Sequence, residues 1–322
     1  MEEKIVTILN EMAEYLNVSQ MKKLQEVMLK NFSDKSPEKK EISNTDYLKL
    51  FLDAKRIEGC SERTIDYYRK TIEHLIGFLK TPVRRITTEE MREYLAEYQK
   101  INNCSNVTVD NVRRNISSFF SWLEEEDYIL KSPMKRIHKI KTKTVVKSVI
   151  SDETIEKLRD HCTEIRDLSM IDLLYSTGMR VGELVRLNRD DINLENRECI
   201  VYGKGDKERR VYFDAKAKVH LKEYLDSRTD DNPALFVTLN SPHKRLKISG
   251  VEIRIRELGR SVSMERIHPH KFRRTMATRA IDKGMPIEQV QKILGHSQID
   301  TTMQYAMVNQ TNVKNSHQKI MG

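Results

Sequence analysis

No stretch of this chain stays apolar for the roughly 18 residues that a membrane-spanning helix requires, so no span is expected. Its first residues, MEEKIVTILNEM, begin acidic and amphipathic, unlike the basic start of a secretory leader. A soluble, cytoplasmic location is therefore expected. The four cysteines, Cys60, Cys104, Cys162 and Cys199, lie far apart and form no C-x-x-C pair. That spacing suggests neither a disulfide framework nor a zinc ribbon, and the thiols read as reduced and structural. No Walker A loop, internal repeat or low-complexity tract is found.

Positive charge is what the chain has in excess: 57 Lys and Arg against 48 Asp and Glu, a formal net charge of +9 over 322 residues. Lysine and arginine displace the counterions condensed on phosphates, so the balance favours a polyanionic partner. Composition alone does not choose between nucleic acid and an anionic membrane surface. A chain of this length suits two or three domains, each able to bury a core.

Residues 1–42 read as a helical appendage and linker. Ile5, Leu9, Met12 and Leu16 form one helical stripe, Met21, Leu24 and Met28 a second, and the chain turns around "NVSQ". "SDKSPEKKE" then lacks any periodicity. Residues 43–130 are helical throughout and predict a bundle of about four helices. Ser61 is expected to cap a helix carrying Ile65, Tyr68, Ile72, Leu75 and Leu79. Thr87 and Glu90 make a capping box before Met91, Leu95 and Tyr98, and Val109, Val112, Ile116, Phe119 and Leu123 repeat the same stepping. Residues 131–147 hold Lys131, Lys135, Arg136, Lys139, Lys141, Lys143 and Lys147 without one acidic residue. Such a run is either a solvated linker or a track for a phosphate backbone.

Residues 148–322 mix element types. Helices are expected near 151–162 and 166–176, the second ending at a left-handed Gly178. "ECIVYGKGDKERRVYF" reads as a β-hairpin, "ALFVTL" at 234–239 as a third strand, and helices return from about 248. The expected fold is mainly α, a helical bundle followed by an α+β domain with a small antiparallel sheet.

Four short stretches in this second part hold residues suited to phosphate chemistry. Arg180 in "STGMRVGELVRL" sits between two glycines at a helix start; alone it is an ordinary surface arginine, though its fork suits a phosphate. Lys204 lies between Gly203 and Gly205 in the hairpin turn, where a solvated lysine is the plain alternative to a proton donor. In "HPHKFRRTMATRAI", His270 and Arg273 are three apart on one helical face. His268 and His270 lack a third ligand at usual spacing, so no metal is expected. In "LGHSQIDTTMQYA", Gly295 ends a helix begun by Pro286, His296 emerges, and Asp300 is expected to cap the short helix of Tyr305. By itself that tyrosine reads as a core residue.

Taken in order, T-G-x-R-x-x-E-L, a G-K-G hairpin turn, H-x-x-R, L-G-H and a tyrosine nine residues later resemble the tyrosine recombinase (phage integrase) family. The resemblance covers about residues 43–310 and is similar to Xer-type and transposon or phage integrases. It implies a catalytic set of Arg180, Lys204, His270, Arg273, His296 and Tyr305, with Glu183 as the associated acidic residue. Tyr305 would be the nucleophile on a DNA phosphodiester, Arg180, Arg273 and His296 would stabilise the transition state, Lys204 would protonate the 5′ oxygen, and His270 would assist proton transfer. No metal, ATP or other cofactor is implied. The bundle would be a core-DNA-binding domain, and the two domains would close as a C-shaped clamp around DNA. Arg113 and Arg114 are then candidate groove or backbone contacts, with Lys135, Arg136, Lys139, Lys141 and Lys143 along the crossing linker. The implied partners are double-stranded DNA with inverted half-sites, a tetramer of this chain on DNA and an accessory directionality factor, with no membrane and a nucleoid-associated, bacterial-type setting.

Departures from the family pattern are Phe272 where leucine is frequent, Ala306 and Met307 where a histidine often follows the tyrosine, and the extra length of residues 1–42. Two rival functions share the positive charge. A type IB topoisomerase has the same chemistry without site or synapsis, and a catalytically silent DNA-binding regulator has none. A membrane-surface protein would need an amphipathic aromatic face, which is not evident.

Overall fold

Four hydroxyl side chains set the helix starts in the first part of the chain. Ser43, Ser61, Thr87 and Ser105 each accept a hydrogen bond from the backbone N–H three residues on, satisfying a donor that the first helical turn leaves unpaired. The computed structural model describes residues 2–32, 42–142, 148–203, 208–264 and 267–306. The chain divides into two units, Met1–Lys143 and Thr144–Gly322.

The first unit opens with α1 (Glu2–Met12) and α2 (Val18–Phe32). They turn at "NVSQ", where Asn17 and Gln20 each accept the other's backbone N–H through their side chains. Among the described side chains of this pair only Ile5 and Met28 are buried. The bundle that follows is α3 (Asn44–Ile57), α4 (Glu62–Leu79), α5 (Thr88–Asn102) and α6 (Asn106–Glu125). Apolar residues stepping by three and four place one stripe of each helix inward, and Phe51, Ile65, Ile72, Met91, Ile116 and Phe119 are fully buried there. Thr87 and Glu90 form the expected capping box.

Residues 131–142 are laid along this bundle. Pro133–Arg136 form a single 3₁₀ turn, Met134 is buried in the bundle core, and Ile137 and Ile140 pack against it. Asp110 on α6 fastens the strip by accepting the Ile140 N–H at 3.0 Å. The three apolar residues at spacing three explain why so basic a stretch does not stand off in solvent. Lys143 and Lys147 lie outside the described residues.

The second unit is built around α8 (Ile165–Thr177), whose Met170, Ile171, Leu173 and Leu174 are buried on nearly every side. Before it lies α7 (Asp152–Asp160), and after it α9 (Val181–Leu184). The sheet has the order β1 (Ile192–Asn193), β2 (Glu198–Tyr202), β3 (Glu208–Tyr212), all antiparallel, with Cys199 opposite Val211 and Val201 opposite Arg209. Cys199, Val201 and Val211 point to the core while Ile200, Tyr202 and Tyr212 point out. The helices α10 (Ala215–Asp226), α11 (Ile248–Ser261), α12 (Pro269–Asp282), α13 (Ile287–Leu294) and α14 (Asp300–Ala306) complete the unit.

The third strand is Ile192–Asn193, not residues 234–239. The latter run is apolar because Leu235 and Phe236 are core residues, and it makes only isolated bridges, Asn188 with Ala234 and Val237 with Arg245. Its hydrogen bonds go to separate segments: Leu235 N–H donates to Leu187 O, and Phe236 O accepts from Leu246 N–H. Asp300 is the first residue of α14 rather than its cap; Thr301 N–H donates to Gln298 O, and Ile299 O takes the N–H groups of Thr302 and Met303.

Candidate functional site

Gly178 ends α8 with a φ of 61°, and a side chain there would lie 2.2 Å from Met276 Cε and 3.4 Å from Leu294 Cδ2. The bare backbone lets α12 and α13 close on the end of α8. Arg273, on α12 and only 1% exposed, fills the junction. Its Nη1 donates to Gly178 O at 2.8 Å, and its Nη2 donates to Leu294 O at 2.5 Å and to His296 Nε2 at 3.0 Å.

Two residues beyond Gly178, Arg180 caps α9. Its backbone N–H donates to Glu183 Oε2 at 2.7 Å and its Nη1 to Oε1 at 3.0 Å, while the side chain stays 38% exposed. The same carboxylate accepts a fork from Arg209, Nη1 to Oε1 at 2.7 Å and Nη2 to Oε2 at 2.6 Å. Arg209 Nε donates to Ile293 O at 2.7 Å, which ties β3 to α13. Burial works against the Glu183 carboxylate, but the hydrogen bonds from Arg209 and the Arg180 backbone outweigh it and hold its pKa below the ordinary glutamate value.

Gly295 ends α13 with a φ of 64°, and a Cβ there would lie 2.9 Å from Arg209 Cδ. His296 then emerges between Arg273 and α14. Its Nδ1 is 2.9 Å from Thr302 Oγ1, and its ring stacks on Tyr305 with centroids 6.1 Å apart at 27°. Tyr305 is half-buried against the small cluster of Ala277, Val290 and Leu294. Burial, with Arg273, Arg180, Arg209 and His270 adding repulsion, pushes the His296 pKa down to about 4. His270, at the start of α12, keeps much of its surface in water, yet desolvation by the protein around its ring and the charges of Arg273 and His268 lower its pKa as well. Burial, then Arg180 and Arg209, bring even the Arg273 guanidinium down to about 10.

Arg180, Glu183, Arg273, His296 and Tyr305 thus meet in one place, with His270 close enough for its charge state to sense both arginines. Lys204 lies outside the described residues, beyond the end of β2. Sequence reasoning missed two members, Arg209 and Thr302. For Arg209 a signal was present: strand alternation places it on the same face as the buried Val211, an inward position that an arginine occupies only with a partner. Arg180 and Arg209 share the Glu183 carboxylate while Arg273 bonds to backbone carbonyls and His296, so the site carries excess positive charge beside a phenol, an arrangement that suits an oxyanion. Among the described residues no group of three or more His, Cys, Asp or Glu could hold a metal ion.

The basic residues of the first unit differ in how engaged they are. Arg113 is mostly buried: its Nε donates to Asp110 Oδ1 at 2.8 Å and its Nη1 to Ile137 O at 3.4 Å, so it braces the strip of residues 131–142. Arg114 is exposed and bonded to Asn111, and Lys135 pairs with Glu124. Arg136, Lys139 and Lys141 are exposed, and Lys143 lies outside the described residues.

Comparison with known proteins adds a separate line of observation. Residues 148–312 match the phage integrase family, and residues 47–130 match the phage integrase N-terminal SAM-like domain. The tyrosine recombinase XerC of Leptospira interrogans is 32% identical over 296 residues, covering 88% of this chain and 95% of that protein. XerC of Oceanobacillus iheyensis is 30% identical over 293 residues, covering 85% of this chain and 95% of that one. Among solved structures, a XerH site-specific recombinase bound to palindromic difH substrate, in a post-cleavage complex, has a TM-score of 0.68 at 21% identity. That likeness covers 97% of this chain and 93% of the other, and it shows the fold.

Proposed function

This chain belongs to the phage integrase family and is a tyrosine site-specific recombinase; on that premise we propose that it cleaves and rejoins duplex DNA through a 3′-phosphotyrosyl link to Tyr305, without metal or ATP. The observation that carries this is the stack of Tyr305 on His296 beside Arg273 and Arg180. A phenol with an ordinary pKa of about 10 must lose its proton as it attacks phosphorus, and the site offers positive charge where negative charge develops. Arg180 presents its partly exposed fork to the non-bridging oxygens, with Arg273 behind it. Glu183 orients Arg180, and because Arg209 balances the carboxylate, Arg180 keeps its attraction for the anion. His296 donates a hydrogen bond to the phosphate, Lys204 delivers the proton to the departing 5′ oxygen, and His270 assists proton movement at the phenol.

The phosphodiester energy is retained in the tyrosyl link, so a 5′ hydroxyl from a partner strand can reverse the step. The substrate is double-stranded DNA with inverted half-sites, bound by two protomers per site and four per synapse, with an accessory factor setting direction. Arg114, Arg136, Lys139 and Lys141 supply phosphate contacts, joined by Lys143 and, if it exchanges Glu124 for DNA, Lys135.

Sequencing the DNA that the protein retains from a random duplex pool identifies the site. On a nicked suicide duplex of that sequence, the wild type is expected to trap a covalent complex and Tyr305→Phe none; a complex that persists in the variant contradicts the assignment. Relaxation of supercoiled plasmids lacking the site, by monomeric protein, would favour topoisomerase activity instead.

A further inference from the structure

Thr302 lies three residues before Tyr305, on α14, and is fully buried. Its Oγ1 is 2.9 Å from His296 Nδ1, while on the opposite edge of the ring Arg273 Nη2 is 3.0 Å from Nε2. A guanidinium can only donate, so Nε2 accepts, the imidazole is neutral and its proton sits on Nδ1, which donates to Thr302 Oγ1. Catalysis asks the reverse of this ring: Nε2 must donate to a phosphate oxygen, and in a ring that stays neutral Nδ1 then becomes an acceptor. A carboxylate or carbonyl at position 302 could serve the first state alone, whereas a hydroxyl serves both by rotating about its C–O bond.

We propose that Thr302 is a positioning residue that serves both tautomers of His296. It accepts from Nδ1–H while Arg273 holds Nε2, and it donates to Nδ1 once a phosphate draws the Arg273 N–H away. The proton count does not change: Nδ1 releases its proton to water, Nε2 takes one from water, and the Arg273 Nη2–H that faced Nε2 turns to a phosphate oxygen. This rests on His296 donating to the scissile phosphate, as proposed above. Because Thr302 and Tyr305 are one turn apart, the same bond holds the nucleophile's helix against the ring.

Valine matches threonine in shape but leaves Nδ1 without a partner. In the free protein the half-buried ring can then turn towards water, an escape that the transition state does not allow. Thr302→Val is therefore expected to slow single-turnover cleavage at saturating DNA by about 10- to 100-fold, the scale of one buried polar group left unpaired, with DNA affinity unchanged. Thr302→Ser is expected to retain a rate within about threefold of the wild type, since it keeps the donor and acceptor. A valine variant that cleaves like the wild type, or a serine variant as slow as valine, overturns the proposal.

Nitrogen NMR of the full chain with ¹⁵N-labelled histidines reads the proton directly, His296 being assigned by loss of its signals in His296→Asn. The free protein is expected to carry the proton on Nδ1, and Tyr305→Phe bound to the selected duplex to carry it on Nε2. Nε2–H in the free protein, or Nδ1–H in the complex, overturns the proposal. Failure of the phosphotyrosyl assignment has a different signature: no covalent complex in the wild type, in which case the two NMR states decide the role of Thr302 alone.

Discussion

A carboxylate as buried as Glu183 keeps its charge because Arg209 meets it with both ends of its fork. Removing one partner of such a pair leaves the other ionised without compensation, at a cost of about 3–5 kcal/mol. Arg209→Met is accordingly expected to lower unfolding free energy on that scale in urea titrations, and to slow cleavage because the unbalanced Glu183 carboxylate then competes with the phosphate for Arg180. The double variant Arg209→Met, Glu183→Gln should lose less than the sum of the two single changes; strict additivity would show that the pair is not coupled. At His296 the pKa depression has a definite sign. The unfolded ring takes up a proton near pH 6.5, the folded one only near 4, so between these values the unfolded state binds more protons. Stability from this group is fully present above about pH 6.5 and falls as pH drops towards about 4. His270, also lowered, adds in the same direction. Urea unfolding from about pH 7 to 4.5 should therefore show a steeper acid loss in the wild type than in His296→Asn, and equal slopes would contradict the shift. Tyr305 and His296 could be singled out from sequence because their order among other residues is informative. Thr302 could not, since a threonine in a short helix has no partner until the fold supplies one.

The elements show a similar division. Helix starts at Ser61 and Thr87, the left-handed stops at Gly178 and Gly295, and the β2–β3 hairpin follow from local chemistry and were legible in the chain. The third strand was not, because two residues at 192–193 carry no periodicity, and the apolar run at 234–239 owes its character to burial rather than to a ladder. Charge alone leaves the basic stretch 131–147 open between a solvated linker and a phosphate track, while Met134, Ile137 and Ile140 decide where its described part, 131–142, lies. Gly295 illustrates how a stop can also be a contact. Gly295→Ala combines a left-handed backbone, about 1–2 kcal/mol for a residue with a Cβ, with displacement of Arg209. The variant is expected to unfold at a lower temperature and to cleave more slowly, and a fall in stability with unchanged cleavage would separate the glycine from the site.

At the scale of the whole molecule, the net charge of +9 and the exposed cations of the first unit set the expected response to salt. Each phosphate contact contributes a slope of roughly −0.9 to the logarithm of affinity against the logarithm of salt concentration. Lys139→Ala and Lys141→Ala should each reduce that slope by about one while weakening specific and random DNA alike. Arg113→Ala should act differently, lowering the stability of the bundle through loss of its bonds to Asp110 and Ile137 O. A large drop in salt dependence from Arg113→Ala without destabilisation would move that arginine to the DNA surface.

If Tyr305 is the nucleophile, it is the residue that carries the DNA adduct, and that residue can be identified directly. Covalent complex from the suicide duplex is digested with nuclease and trypsin, and the peptides are sequenced by mass spectrometry. The peptide from Ile293 to Lys314 is expected to carry the nucleotide remnant on Tyr305. A remnant on any other tyrosine, or on a serine, would mean that Tyr305 is not the nucleophile.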